Sequence, residues 1–171
     1  MAATTLITRS EIDERVRAMG RQISADFVGD DLVVLCVLKG AVFFTTDLVR
    51  AMDIDLSLDF IQVSSYGSQK YSSGVVTILK EPQLDMKGKS VLIVEDIIDS
   101  GLSMREVYRY IESRGAAKVK VATMLDKPSS RKVPFEATYV GFSIEPKFVV
   151  GYGLDFAEHY RNVPEIQVLD D

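Results

Sequence analysis

Thirteen residues, VLIVEDIIDSGLS at positions 91–103, constrain this chain more than any other stretch. Val91, Leu92, Ile93 and Val94 follow the turn-like KGKS at 87–90. So short a β-branched run bounded by turn signals predicts a strand buried on both faces, as in a parallel sheet. The strand is expected to end at Val94, because Glu95, Asp96 and Asp99 then crowd three carboxylates into five residues. Ser100, Gly101, Leu102 and Ser103 lead into helical spacing over residues 104–114, carried by Val107, Tyr108 and Ile111 and stopped by Gly115.

A glycine-containing loop that feeds a helix N-terminus presents unpaired backbone N–H groups and the positive end of the helix dipole, which suits a phosphate. Ser100 and Ser103 add hydroxyl donors. Free carboxylates repel a phosphate, so Glu95 and Asp96 make sense if they face hydroxyls or a bound cation. A sugar phosphate meets both demands. Its phosphate would sit in the loop, a ribose diol or a magnesium ion would meet the acidic pair, and Asp99 would be left for proton transfer. The chain has neither G-x-x-x-x-G-K-[ST] nor G-x-G-x-x-G, which leaves a P-loop NTPase or a dinucleotide-binding domain without support.

The same residues carry a resemblance. VLIVEDIIDSG looks like the phosphoribosyl pyrophosphate motif of phosphoribosyltransferases, and its EDIID form is similar to that of hypoxanthine-guanine phosphoribosyltransferases. Leu102 departs from many relatives, which carry a polar residue there, but the backbone amides around it do the binding. The resemblance implies an α/β fold of the type I phosphoribosyltransferase kind: a parallel central sheet flanked by helices, with a small hood subdomain formed from the chain ends.

The rest of the chain agrees with an α/β reading. Thr8 and Glu11 have capping-box spacing, and Ile12, Val16, Met19, Ile23 and Phe27 recur at helical intervals. Residues 32–38 form an apolar run that predicts a buried strand. Residues 41–52 continue as a helix expected to turn Val42, Phe43, Leu48 and Val49 inward. Ile54, Leu56, Leu58 and Phe60 alternate with Asp53, Asp55, Ser57 and Asp59, which predicts a strand with one solvated face. Residues 64–74, rich in Ser and Gly, read as a hairpin tip or a lid, and residues 75–79 resume a strand. Residues 119–125 and 139–142 are two further strands. Strands alternating with helices support a parallel sheet.

Composition bounds the partners. At 171 residues and 47% hydrophobic content the chain is long enough for one well-buried domain, expected to span 1–171. Twenty Lys and Arg against twenty-five Asp and Glu give a net charge of -5, which argues against a broad nucleic-acid-binding face. No charged segment followed by an apolar stretch opens the chain, and no apolar run approaches the roughly 18 residues of a membrane span. A cytoplasmic protein is therefore expected, with no membrane partner. The single cysteine, Cys36, lies within the apolar run 32–38 and reads as a buried, inert thiol.

Lys39-Gly40 interrupts a strand leading into a helix, the place where open α/β sheets bind ligands, although a solvated turn lysine is equally compatible. The resemblance resolves this toward function. It implies that Leu38-Lys39-Gly40 is a pyrophosphate-binding loop with a strained peptide, and that Ser65-Tyr66-Gly67 belongs to a mobile catalytic loop. It further implies that Lys127, in LDKP, donates to the six-position oxygen of a purine, that Phe148 stacks on the base and that Val149 binds it through backbone groups. Asp155 would offer its carbonyl to the base and its carboxylate to magnesium, beside the magnesium ligands Glu95 and Asp96. Arg161 would clamp pyrophosphate, and Asp99 would be the catalytic proton acceptor. The implied substrates are phosphoribosyl pyrophosphate and hypoxanthine or guanine, the implied cofactor is Mg2+, and the implied assembly is a homodimer or homotetramer. A uracil-sensing, RNA-binding regulator of the same fold and a xanthine-preferring transferase stand as alternatives.

Overall fold

The computed structural model describes residues 2–65 and 76–170. A short strand, β1 (Ala3–Ile7), runs into helix α1 (Arg9–Asp26) through a reciprocal cap at Thr8. The Glu11 N–H donates to the Thr8 hydroxyl at 3.2 Å, and the Thr8 N–H donates to the Glu11 carboxylate at 2.9 Å. Two of the helix's orphan donors are thereby satisfied locally. Ile12, Val16, Met19, Ile23 and Phe27 are all buried, as their spacing predicts.

The central sheet comprises β2 (Leu32–Leu38), β3 (Ser57–Ser65), β4 (Val76–Lys80), β5 (Ser90–Ile98), β6 (Lys118–Asp126) and β7 (Tyr139–Ser143), in the order β4-β3-β2-β5-β6-β7. All neighbours are parallel except the edge strand β4, which runs antiparallel to β3. Helices α1 and α2 (Val42–Arg50) cover one face and α3 (Leu102–Ser113) the other. Alternate residues of β2 and β5 enter opposite cores. Leu32, Val34, Leu92 and Val94 pack toward α1 and α2, whereas Val33, Leu35, Val91 and Ile93 pack toward α3. Burial contributes about 1.5–3 kcal/mol for each such side chain, an upper figure because an unfolded chain already hides some of that surface. Cys36 is fully buried in β2, and burial pushes its thiol up to about 11, so it is inert as expected.

A second, three-stranded antiparallel sheet joins β1 to β9 (Ile166–Leu169) and β8 (Val149–Val150), in the order β1-β9-β8. Sequence periodicity does not announce β1, because all of it except Ile7 is exposed. No helix among the described residues is long and apolar enough to cross a membrane.

Four expectations require correction. In α2, Phe44 and Leu48 enter the core, while Phe43 is exposed and Val42 only half-buried; the helix is rotated so that the second of its two phenylalanines faces inward. The strand expected from Ile54 begins only at Ser57, and its alternation is inverted at the next two positions. Leu58 is exposed and Asp59 buried. Asp59 faces inward because its carboxylate accepts the N–H groups of Phe60, Gln83 and Leu84, each at 2.8 Å, so its burial is compensated. Strand β5 continues past Val94 to Ile98, paired with β6, which puts Glu95 and Asp96 inside the strand. Finally, α3 begins at Leu102, two residues before its apolar spacing starts.

Candidate active site

The C-terminal end of β5 opens the site. Its acidic pair folds back on its own backbone: the Asp96 N–H donates to Glu95 Oε1 at 2.9 Å and the Ile97 N–H to Asp96 Oδ1 at 2.7 Å. Burial, and then the negative charge of Asp96, hold the Glu95 carboxyl well above the usual carboxylate range. Gly101, at φ +83, then turns the chain into α3. A side chain would be strained in that left-handed conformation and would crowd the Val133 carbonyl and Phe135. The Gly101 carbonyl accepts the first helical bond from the Arg105 N–H at 3.0 Å, and the Ser100 hydroxyl accepts from the Leu102 N–H at 3.2 Å. Ser100, Leu102 and Ser103 are half-buried around this helix start.

Strand β6, next to β5, supplies Lys127. Its N–H donates to the Ile98 carbonyl at 3.0 Å, which extends the parallel pairing one residue past the strand. The lysine side chain, 10% exposed, reaches back to Asp99, whose carboxylate is 53% exposed; the Nζ to Oδ2 distance is 3.7 Å. A largely desolvated cation and a solvent-accessible carboxylate therefore stand side by side at the mouth of the loop.

A second anion-receptive region lies across the acidic pair. The Leu38-Lys39 peptide is cis. A Cβ at Gly40 would overlap the Asp96 carboxylate, so only glycine lets the β2–α2 loop approach the acidic pair this closely. The Gly40 carbonyl in turn lies against Gly153, which brings in the segment that carries Asp155 and Arg161. Arg161 donates to the Gly153 carbonyl at 2.7 Å and to Glu158 at 3.0 Å, and lies 3.5 Å from Asp155; its buried Nε has no protein partner among the described residues. Lys39 Nζ contacts the other Glu158 oxygen at 3.1 Å. These cations, Lys39 first, hold the Glu158 carboxyl below the usual range. A cleft of about 470 Å3 between Lys39, Phe43, Glu158 and Arg161 opens here.

The expected base-binding residues lie on and beside β8. Phe148 is 52% exposed and meets Phe156 edge to face, with centroids 5.7 Å apart, so it is not a core residue. Val149 buries its side chain while its backbone pairs with Val168. Ser65 ends β3; Tyr66, with the rest of the expected lid at 66–74, lies outside the described residues.

Asp155 is not gathered with Glu95 and Asp96 into a metal-binding cluster: its carboxylate accepts the Glu158 N–H at 2.8 Å and lies against Arg161. No group of three or more His, Cys, Asp or Glu side chains suited to a metal occurs among the described residues. Glu95 and Asp96 nonetheless fit a magnesium ion as a donor set. Burial and the neighbouring charge of Asp96 raise the Glu95 carboxyl, so a cation between these two adjacent hard carboxylates would relieve their repulsion, and magnesium commonly takes one or two protein carboxylates with substrate oxygens completing its shell. Three residues that the sequence did not single out for function, Glu158, Phe156 and Arg131, contact the expected set. The Lys39-Glu158 and Phe148-Phe156 contacts leave no signal in a linear pattern. Arg131, four residues beyond Lys127 on the far side of Pro128, could have been found as a charge placed to turn back on its own loop.

Comparison with known proteins gives this arrangement its relatives. A family model for the phosphoribosyl transferase domain matches residues 8–157. The hypoxanthine-guanine phosphoribosyltransferase of Bacillus subtilis is 44% identical over 96% of this chain and 91% of that protein. A bifunctional TilS/HprT protein of Listeria innocua is 48% identical over 96% of this chain, which spans only 25% of that longer protein. Among solved structures, a hypoxanthine phosphoribosyltransferase from Staphylococcus aureus matches with a TM-score of 0.94 at 40% identity, covering 97% of this chain and 90% of the other. A Bacillus anthracis hypoxanthine-guanine phosphoribosyltransferase with a HEPES molecule in its active site matches with a TM-score of 0.92 at 44% identity, over 97% and 98%.

Proposed function

The chain belongs to the phosphoribosyltransferase family, in its hypoxanthine-guanine branch, and from that premise we propose that it transfers phosphoribose from phosphoribosyl pyrophosphate to hypoxanthine or guanine, yielding IMP or GMP and pyrophosphate in purine salvage. The observation that carries this reading is the Lys127-Asp99 pair at 3.7 Å, a buried donor beside an accessible carboxylate at the end of the phosphate-type loop. Lys127 donates to the purine six-oxygen, and Asp99 accepts the proton that the attacking ring nitrogen must lose. The loop at Ser100, Gly101, Leu102 and Ser103 holds the 5-phosphate through backbone and hydroxyl donors, and Glu95 and Asp96 accept from the ribose hydroxyls.

Arg161 and the amides at Lys39 and Gly40 hold the departing pyrophosphate in line with the ribose carbon. Phe148 stacks on the base, Val149 and the Asp155 carbonyl bond to its edge, and Ser65 and Tyr66 belong to a loop that covers the reacting centre. Glu95 and Asp96 would hold magnesium, which would neutralise charge on the leaving group. The three-stranded sheet from the chain ends serves as the hood of a single domain, and the protein works in the cytoplasm as a homodimer or homotetramer. Turnover with phosphoribosyl pyrophosphate and Mg2+ should be high for hypoxanthine and guanine and low for xanthine, adenine and uracil. Preference for uracil, or salt-sensitive RNA binding without turnover, would refute the reading.

A further inference from the structure

Arg131 is the most connected polar side chain beside the site, and none of the roles above uses it. It sits just past the 3-10 turn Pro128–Ser130, 16% exposed, with its guanidinium spread across three segments. Nη2 donates to the carboxylate of Asp126, itself 12% exposed, at 2.6 Å. Nη1 faces the carbonyls of Ile98 at 3.2 Å, Asp99 at 3.1 Å and Lys127 at 3.3 Å, and Nε donates to the Phe135 carbonyl at 2.9 Å. The chain after Arg131 continues the attachment, since the N–H groups of Lys132 and Val133 both donate to the Ser100 carbonyl, at 2.8 and 3.3 Å. Only a planar fork with several donors can hold the end of β5, the end of β6 and its own loop at once.

We propose that Arg131, oriented by Asp126, is a positioning residue that sets the distance between the proton acceptor Asp99 and the base reader Lys127. It bonds to the backbone carbonyl of each, so the two side chains share one anchor. The inference rests on the roles given above to Asp99 and Lys127. Displacement of a catalytic group by about 1 Å costs on the order of 10²-fold in rate, so an anchor at this point governs turnover without touching substrate. It governs base selection as well, because Lys127 discriminates only if its ammonium faces the six-position.

Arg131→Lys tests this. Lysine keeps the positive charge beside Asp126, so the fold is retained, but a single ammonium cannot bridge the three segments. The variant is expected to keep its near-UV circular dichroism and its KM for phosphoribosyl pyrophosphate within about threefold, while kcat on hypoxanthine falls roughly 10- to 100-fold. The hypoxanthine-to-adenine ratio of kcat/KM should fall with it although Lys127 is intact. Wild-type kcat and ratio in Arg131→Lys, or a change confined to melting temperature, would overturn the inference. If Arg131→Lys does not fold, Asp126→Asn carries the same comparison: a smaller loss in kcat and ratio supports the anchor, and wild-type values for both refute it. An inactive wild-type protein would instead refute the functional reading beneath it.

Discussion

The two halves of β5 are opposites built on one strand. Residues 91–94 are wholly buried, with side chains alternating into the two cores, and the chain gains stability from each. From Glu95 onward the same strand carries carboxylates, one held above its usual range by burial and by its neighbour, and delivers Asp99 to Lys127. The first half stabilises and the second half spends part of that stability on a charged, pre-set edge. Stability and chemistry are thus separated along the strand by a single peptide unit, and substitutions in the two halves should give nonoverlapping defects.

The largest separation is expected at Asp99. Asp99→Asn keeps size and removes the proton acceptor, so turnover should drop by roughly 10²- to 10⁴-fold with little change in thermal stability. Unchanged turnover in forward and reverse directions would remove Asp99 from the chemistry. Leu92→Ala should do the converse. It leaves a cavity beneath α1 and α2 and is expected to cost about 2–5 kcal/mol in denaturant unfolding, with kcat per folded molecule preserved. A stable Leu92→Ala protein with poor turnover would break the division between the halves.

The smallest effect sharpens the comparison at its boundary. The native state keeps the Glu95 proton to higher pH than the unfolded chain does. It therefore binds more protons in the window above the ordinary carboxylate value, and stability falls as pH rises through that window. Glu95→Gln should flatten this decline and raise Tm by a few degrees above neutral pH in magnesium-free buffer. Parallel Tm-against-pH curves for the two proteins would contradict the assignment.

How much of this was readable beforehand depended on whether the controlling interactions were local. The capping box at Thr8 and the start of α3 at Gly101 express contacts within a few residues, and the doubly buried strands announce themselves by unbroken apolar runs, although their partners lie far along the chain. Asp59 defeated the alternation rule because its partners, Gln83 and Leu84, lie over twenty residues away and turn a polar side chain inward. Phe43 and Phe44 are adjacent and chemically identical, so only the packing of α2 decides between them. Strand β5 outran its apolar stretch because pairing with β6 continues to Ile98 regardless of side-chain charge. The approach of Gly40 to Asp96 is purely tertiary, as is the reach of Arg131 to Ile98 and Asp99, whereas its bonds to Asp126, Lys127 and Phe135 stay within its own loop and the end of β6 before it.

The central claim, that Lys127 reads the purine beside the proton acceptor, is tested most directly by Lys127→Met. Hypoxanthine presents an acceptor oxygen at the six-position and adenine an amino group, while an ammonium has donors only. In a closed site that mismatch can discriminate by about 10⁴. Methionine approximates the length but donates nothing, so kcat/KM for hypoxanthine should fall far more than that for adenine, and their ratio should collapse toward unity equally at low and high ionic strength. A ratio that survives the substitution, with both activities lowered together and the loss fading at high salt, would make Lys127 a steering charge and contradict the account.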